Sequence, residues 1–280
     1  MVIAITGGTG FIGRKLQAHF TSPEHTLRII GRKTPDRDAL EGADAVIHLS
    51  GEPVAQRWNA AVMKRIRDSR VQGTSDLIAA LKTLRIRPKV LISASAVGFY
   101  GDRADEKLTE ESRPGQGFLA EVCTQWERAS HEAEDLGIRV VNPRIGVVLG
   151  RNGGALAKML PAFRLGIGGR LGDGNQWMPW IHIDDLARLF QFAMASPNMR
   201  GALNVASPNP VTNAEFTAQL ARVLSSPAVV PVPAFALRLL FGEMASMLLS
   251  GQRVLPAAAI KSGFKFNHPE LTPALKSLLS

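Results

Sequence analysis

The sequence begins, after Met1, with Val2-Ile3-Ala4-Ile5-Thr6-Gly7-Gly8-Thr9-Gly10-Phe11-Ile12-Gly13, and this stretch decides the fold. The apolar run Val2–Thr6 predicts a buried parallel strand, and Phe11–Phe20 predicts the helix that follows it. Glycines between a strand and a helix permit a tight turn that brings backbone N–H groups against a pyrophosphate. We therefore predict a dinucleotide-binding turn, with a merely structural turn as the alternative. Its contact residues are Gly7, Gly8, Thr9, Gly10, Phe11, Ile12 and Gly13.

Short apolar runs alternate with helical segments beyond this turn. Strands are predicted at residues 27–30, 45–49, 89–95 and 139–148, and apolar residues at roughly helical spacing lie between them. Such alternation indicates an α/β fold, namely a Rossmann-type doubly wound parallel sheet with helices on both faces.

The chain divides into two predicted parts. A Rossmann domain is predicted over residues 1–206 and a small C-terminal lobe over residues 207–280, which is rich in proline and contains a strongly apolar stretch. Glycines cluster in residues 146–174, which predicts an excursion from the first domain. This excursion is either a plain connector or a mobile loop near a ligand.

Composition limits the class of protein and its partners. The chain has 280 residues, 45% of them hydrophobic, and a formal net charge of +9, which excludes disordered and fibrous classes. The single cysteine excludes an intrachain disulfide, and no apolar leader precedes the first strand, so we expect a cytoplasmic protein. Basic residues are spread along the chain without a nucleic-acid motif. We expect a small-molecule substrate, and neither nucleic acid nor a membrane as a partner.

The end of the second predicted strand selects the cofactor. An NAD site carries an acidic residue about 20 positions beyond the last glycine of the turn, where it accepts a hydrogen bond from the ribose 2′-OH. Here that region holds Arg32 and Lys33, two cations suited to a 2′-phosphate. We predict NADP(H) as the cofactor, with two ordinary surface cations as the alternative.

Several motifs together resemble a known family. The sequence is similar to the extended short-chain dehydrogenases/reductases, and more narrowly to their atypical sugar-nucleotide-epimerase-like (NAD-dependent epimerase/dehydratase) branch, whose C-terminal lobe is a domain of unknown function. The motifs are the glycine turn, His48-Leu49-Ser50-Gly51-Glu52, Tyr100-Gly101-Asp102, Met159-Leu160-Pro161-Ala162-Phe163-Arg164-Leu165-Gly166, Trp180-Ile181-His182-Ile183-Asp184-Asp185 and Gly251-Gln252-Arg253-Val254-Leu255-Pro256.

The resemblance implies further cofactor contacts. It places three residues at a strand end beside the adenine–ribose half of the cofactor, and three more at the strand end that meets the nicotinamide half. Arg70 lies near the position where this family often has an asparagine, and we expect it to face the cofactor phosphates unless it is an ordinary exposed helix arginine. The first three residues are Leu49, Ser50 and Gly51, and the second three are Pro143, Arg144 and Val147.

The resemblance also shows what is missing. The family's acid–base pair is a Tyr-x-x-x-Lys helix, in which the lysine lowers the pKa of the tyrosine. Here Phe118 and Val122 stand at the two positions, and neither can transfer a proton. Ser95 aligns with the family's catalytic Ser/Thr, although it could equally satisfy strand-end backbone. Tyr100 is expected to border the substrate site, and Glu121 is a substitute acid only if it faces inward.

Three classes of function follow. The first is an NADP(H)-dependent, epimerase-like oxidoreductase acting on an unidentified small substrate, for which a nucleotide sugar is a candidate. The alternatives are a non-catalytic NADP(H)-binding redox sensor or regulatory protein, and a nucleic-acid-binding protein that merely retains the fold. The histidines show no metal-ligand spacing, so no metal is expected. His182 is either a substrate contact or a structural group, and Asp184 is predicted to cap the following helix.

Overall fold

The apolar run Val2–Thr6 forms a strand inside the central sheet, as the sequence predicts. The computed structural model describes residues 1–31, 36–227 and 230–280. Ile3 and Ile5 pack into one core cluster and Ala4 into another, because successive side chains of a strand point to opposite faces. Both faces are covered, which explains why the run is apolar throughout rather than alternating.

The strands are, in chain order, β1 (Val2–Thr6), β2 (Thr26–Ile30), β3 (Ala45–His48), β4 (Val90–Ser93), β5 (Ser95–Ala96), β6 (Lys107–Leu108), β7 (Arg139–Ile145), β8 (Val147–Gly150), β9 (Trp177–Met178), β10 (Trp180–His182), β11 (Gly201–Val205), β12 (Val211–Thr212) and β13 (Arg253–Val254).

The helices are α1 (Phe11–Phe20), α2 (Arg37–Leu40), α3 (Ala60–Lys82), α4 (Phe118–His131), α5 (Gly154–Arg164), α6 (Ile183–Ala195), α7 (Asn213–Leu224), α8 (Ala234–Phe241), α9 (Ala245–Leu249), α10 (Ala257–Lys261) and α11 (Leu271–Leu279). Across the described ranges, none of them is long and apolar enough to cross a membrane.

The main sheet is parallel, with strand order β11-β7-β4-β3-β1-β2 and β5 paired beside β7. Leu16 of α1 and Phe190 of α6 pack on one face, and Leu77 and Leu81 of α3 pack on the other. The Rossmann-type fold expected from the alternation is therefore confirmed. The strand order reverses at β1, since β2 lies on one side of it and β3 on the other. In open α/β sheets, ligands bind outside the carboxyl ends of the strands at such a point.

The C-terminal helical region packs beside that edge. A backbone bridge joins Trp58, just before α3, to Gly242 after α8, and Met244 packs on the same tryptophan. The short strand β13 pairs with β6, which attaches the region to a second place in the Rossmann part.

The predicted strand over residues 139–148 is two strands. The chain bends at Gly146, whose N–H donates to the carbonyl of Val205, and a Cβ there would lie 2.1 Å from the carbonyl oxygen of Pro179. Because of this bend, β8 leaves the main sheet and pairs with β10. The bend turns Val147 and its neighbours towards the carboxyl edge of the sheet, where they line a cleft.

Candidate cofactor and substrate cleft

A cleft of about 1420 Å³ lies at the carboxyl ends of β1 and β3. This is the point where the strand order reverses. Its walls come from the glycine turn, the strand ends, α4 and the C-terminal region. The lining residues used below are Gly7, Gly10, Phe11, Ile12, Gly13, Leu49, Arg70, Ser95, Phe118, Val122, Val147 and Trp177 on the Rossmann side, and Arg238, Met247 and Leu248 on the C-terminal side.

The glycine turn is shaped by contacts that leave no room for side chains. Gly7 has a φ of +69°, and a Cβ there would lie 2.8 Å from the carbonyl carbon of Leu49. A Cβ at Gly13 would lie 2.4 Å from the carbonyl oxygen of Gly7. Gln17 donates from Nε2 to the carbonyl of Gly8 at 2.7 Å and holds the turn against α1. The turn therefore has one fixed geometry.

The N-terminus of α1 fits an anionic group. Its N-cap is Gly10, which has no side chain to accept from the first-turn N–H groups, and the first turn carries no acidic residue. These N–H groups and the helix dipole face the cleft at Gly10, Phe11 and Ile12. A pyrophosphate is the group that such a turn binds.

His48 ties the two strand ends together beneath the turn. Its Nδ1 lies 2.7 Å from the hydroxyl of Thr6, and its Nε2 lies 3.2 Å from the hydroxyl of Thr74 in α3. Burial lowers the pKa of His48 to about 4, so the ring is neutral at physiological pH. This neutral bridge places Leu49 at the cleft.

Arg70 lines the cleft but is not an exposed helix arginine. Its Nη1 donates to the carbonyls of Glu52 and Ile66, and its guanidinium lies 5.1 Å from the ring of Trp126. A Cβ at Gly51 would approach this guanidinium to 3.1 Å. Its approach to the cofactor phosphates stays a prediction.

Two apolar residues occupy the positions where the family has its tyrosine–lysine pair. Phe118 and Val122 both line the cleft, one helical turn apart. The ring of Phe118 packs edge-on against Trp58 with centroids 5.4 Å apart. Glu121 does not face inward, because its side chain is 61% exposed and lies 3.8 Å from Arg67.

Ser95 belongs to a buried polar network behind the cleft wall. Its hydroxyl donates to Oε1 of Glu127 at 2.6 Å. Arg144 donates to both carboxylate oxygens of Glu127, from Nε at 2.8 Å and from Nη2 at 2.9 Å. Ser95 therefore lines the cleft while Glu127 holds its hydroxyl.

The side chains of Arg144 and Tyr100 lie behind the cleft wall, and their predicted roles at the ligand site stay predictions. Arg144 is buried under the ring of Phe99, 3.4 Å from its centroid, and donates from Nη1 to the hydroxyl of Tyr100. Tyr100 is fully buried, and its hydroxyl donates to Oδ1 of Asn204. Neither residue lines the cleft, because the polar groups of both side chains are hydrogen-bonded within this network. Burial raises the pKa of Tyr100, which keeps the phenol protonated.

The remaining predicted cofactor residues fall into two groups. Pro143 is buried in β7 away from the cleft, and Gly8, Thr9, Ser50 and Gly51 adjoin lining residues without being part of the wall. Arg32 and Lys33 lie outside the described residues. Cys123 lines the cleft, but burial raises its pKa to about 11, so the thiol is not a ready nucleophile.

His182 is structural, and the prediction that Asp184 caps α6 is wrong. The N-cap is His182, whose Nδ1 accepts from the N–H of Asp184 at 3.0 Å. Its ring stacks on that of His268 with centroids 3.8 Å apart. These three residues form a cluster of metal-ligand type, but Asp184 is paired with Lys15, and Nδ1 of His182 is already used as the helix cap.

Glu127 was missed at the sequence level, although a signal existed. It lies four residues after Cys123, on the buried face of α4, and Arg144 interrupts an apolar strand. A charged residue on each of two buried faces indicates an internal ion pair. The apolar side chains of the C-terminal wall had no such signal, because nothing in the sequence shows which face of α9 meets α3.

Comparisons with known proteins agree with this fold and this cleft. Residues 3–206 match the model of the NAD dependent epimerase/dehydratase family, and residues 232–278 match a domain of unknown function (DUF1731). The epimerase family protein Mb2239 of Mycobacterium bovis is 42% identical over 98% of this chain and 96% of its own length. The Arabidopsis thaliana protein called the chloroplastic SDR39U1 homolog is 39% identical over 100% and 87%. A crystal structure of human epimerase family protein SDR39U1 with NADPH has a TM-score of 0.93 and 35% identity, covering 99% of both chains.

Proposed function

Because the chain belongs to the NAD-dependent epimerase/dehydratase family, we propose that it is an NADP(H)-dependent oxidoreductase that acts on an unidentified small molecule in this cleft. The observation that carries the proposal is the uncapped N-terminus of α1, which opens into a large cleft at the reversal point of the sheet. A pyrophosphate there would be bound by backbone N–H groups and the helix dipole.

The choice of NADP(H) over NAD(H) is supported by two observations. Arg32 and Lys33 replace the acidic residue that an NAD site uses. The human relative with a nearly identical backbone was crystallised with NADPH. Hydrogen bonds to charged groups contribute about 1.5–3 kcal/mol each, which is enough to set a preference.

The side chains at the cleft bind and orient the cofactor and the substrate, and they do not supply a strong acid. The nicotinamide of bound NADPH supplies a hydride, which is chemistry of the cofactor. Phe118 and Val122 cannot move a proton, so the proton on the substrate oxygen is handled by Ser95. In the hydride-transfer step, the hydroxyl of Ser95, which lines the cleft and hydrogen-bonds to Glu127, would turn from that carboxylate to donate its proton to the substrate oxygen, and solvent would replace the proton. Arg144 holds Glu127 by two hydrogen bonds, which fixes the position of that carboxylate.

Deuteride transfer tests the proposal directly. Purified protein is mixed with NADPH carrying deuterium at the nicotinamide C4 and with a panel of aldehydes, ketones and nucleotide sugars, and products are analysed by mass spectrometry. We expect deuterium in at least one product, and none with a Gly10→Val control. Tight NADPH binding without transfer across the panel would contradict catalysis and support a redox sensor or regulatory protein.

The cellular setting is a separate proposal. We propose a cytoplasmic protein whose partner is a small molecule, neither nucleic acid nor a membrane, because the positive charge is dispersed. The Arabidopsis relative is called chloroplastic, so relatives can work in other compartments. Cell fractionation with an antibody against this chain tests the location.

A further inference from the structure

One part of the cleft, where α3, α4 and the C-terminal region meet, is walled by apolar side chains. Trp58, Phe118, Met247 and Leu248 belong to one packed cluster that joins α3, α4 and the C-terminal region. All four line the cleft, and further apolar lining side chains continue this wall. These are Val54, Leu119, Met159, Leu171, Trp177, Met178 and Leu249.

Charge is sparse on the described part of the wall. The lining side chains with a formal charge are Arg70, Asp102, Arg238 and Glu243, two cations and two anions. Arg70 stands beside Gly51, at the end where the cofactor is expected, and already donates to two backbone carbonyls. Away from the expected cofactor, Arg238 is the remaining lining cation. The two lining carboxylates are those of Asp102 and Glu243.

Nearby cations do not change this balance. Arg67 lies 5.7 Å from the ring of Phe118 but also pairs with Glu121, and Arg253 lies 4.4 Å over the ring of Trp177. Neither is part of the wall. The N-terminus of α4 also opens at the cleft, and because its N-cap Gly117 has no capping side chain, its first-turn N–H groups are one set of free donors on this side. Glu121 in the same turn faces outward and adds a negative charge there.

A nucleotide sugar would bury a second pyrophosphate on this side. Anionic phosphates that leave water need cations or free N–H groups in compensation, and otherwise binding is opposed by desolvation. An uncharged apolar molecule instead gains from removing its surface, and that of the wall, from water. The apolar wall therefore favours an uncharged apolar molecule over a nucleotide sugar.

We infer that the substrate is an uncharged carbonyl compound with an apolar body, aromatic or aliphatic, and not a nucleotide sugar. This rests on the proposed function. In the reaction, the carbon–oxygen π bond breaks, a C–H bond forms with the hydride from NADPH and an O–H bond forms with a proton that reaches Ser95 from solvent. The product is an alcohol, and NADPH becomes NADP⁺.

Binding to the NADPH-saturated protein tests this inference without requiring turnover. Benzylacetone, a neutral aromatic ketone, and UDP-glucose are titrated separately by calorimetry, with tryptophan fluorescence as a second signal. We expect benzylacetone to bind at least about tenfold more tightly, a difference of about 1.4 kcal/mol. Tighter binding of UDP-glucose would overturn the inference, as would failure of both to bind while NADPH binds. Failure of NADPH itself to bind would overturn the proposed function as well.

Three variants locate the ligand on the apolar wall. Met247→Lys places a charge on the wall, and we expect it to weaken benzylacetone binding by at least about tenfold with NADPH affinity unchanged. Leu239→Lys is the matched control, because Leu239 lies on α8 outside the wall and is 73% exposed. Arg238→Ala, an exposed position, should leave benzylacetone affinity unchanged. Equal effects of the two lysine variants, or an affinity that depends on Arg238, would contradict the assignment, and the NADPH affinity reports that each variant is folded.

Discussion

At the scale of single residues, Gly10 and Gly13 occupy one turn but meet different surroundings. A Cβ at Gly10 would lie 3.3 Å from the carbonyl oxygen of Gly7, a contact that a small shift relieves, whereas at Gly13 the same distance is 2.4 Å. Gly10→Val should therefore fold with a melting temperature near that of the wild type and lose NADPH binding, because its side chain fills the phosphate position. Gly13→Val should be destabilised by overpacking, by about 1–3 kcal/mol or more.

Thermal unfolding and NADPH calorimetry on both variants check this prediction. A folded Gly10→Val protein that binds NADPH as the wild type does would contradict the placement of the pyrophosphate at the turn. A Gly13→Val protein as stable as the wild type would contradict the packing of the turn.

Substitutions at Ser95 and Tyr100 should affect different properties: the first should lower activity and the second should lower stability. Tyr100→Phe removes a hydroxyl that Arg144 and Asn204 use, so it should cost about 1–3 kcal/mol of stability yet retain at least about a tenth of the activity. Ser95→Ala should reduce activity more than about tenfold, since a positioned proton-transfer group contributes about 10²- to 10⁴-fold. Steady-state rates on the substrate found by deuteride transfer, with denaturant unfolding, measure both effects. An inactive Tyr100→Phe beside an active Ser95→Ala would reverse these roles.

The sequence predicts the positions of the site residues better than the directions of their side chains. Most of the glycine turn, and Leu49, Val147, Phe118 and Val122, were expected at the cofactor or catalytic positions and do line the cleft. Arg144 was expected beside the nicotinamide half, but its side chain lies behind the cleft wall, because a position at a strand end does not reveal which face a side chain takes. That choice depends on Glu127, a partner from another element.

At the scale of elements, α6 depends on a neutral histidine cap. Burial is the largest of the effects that lower the pKa of His182 from 6.5 to about 4, and His268 and Lys15 lower it further while Asp184 and Asp185 oppose the change. A folded pKa below the unfolded one means that stability is fully present above pH 6.5 and falls as the pH drops towards 4.

Replacing this cap should flatten the acid side of the stability profile. His182→Asn keeps an N-cap acceptor but cannot titrate. We expect the difference in unfolding free energy between wild type and variant to change between pH 6.5 and 4, in favour of the variant at low pH. His48 titrates in both proteins and cancels. Parallel curves from urea unfolding across this range would contradict the neutral cap.

The helix cap also shows where local patterns mislead. Aspartate is a common N-cap, and Asp184 precedes an apolar helical run, so the pattern favoured it. The structure begins α6 two residues earlier, because His182 closes β10 and is held between Ser277 of α11 and the ring of His268. Contacts from distant segments thus decide a boundary that the local sequence leaves open.

At the scale of the whole molecule, two parts of the chain make one site. The Rossmann part supplies the cofactor turn at the reversal point of the sheet, and Met247 and Leu248 of the C-terminal region complete an apolar wall with Trp58 and Phe118. The alternation of strands and helices predicts the first part, since its periodicity follows from local geometry. The sequence also predicts a small C-terminal lobe but not its place at the cleft, because the bridge between Trp58 and Gly242 joins residues far apart in the chain.

We infer that this cleft binds NADP(H) through the glycine turn and through the cations that follow β2 in the sequence. Calorimetric titration of the wild type and an Arg32→Ala variant with NADPH and NADH tests it most directly. We predict that the wild type binds NADPH about tenfold to a hundredfold more tightly than NADH, and that the variant loses most of this preference. Equal affinities in the wild type, or an undiminished preference in Arg32→Ala, would contradict the account.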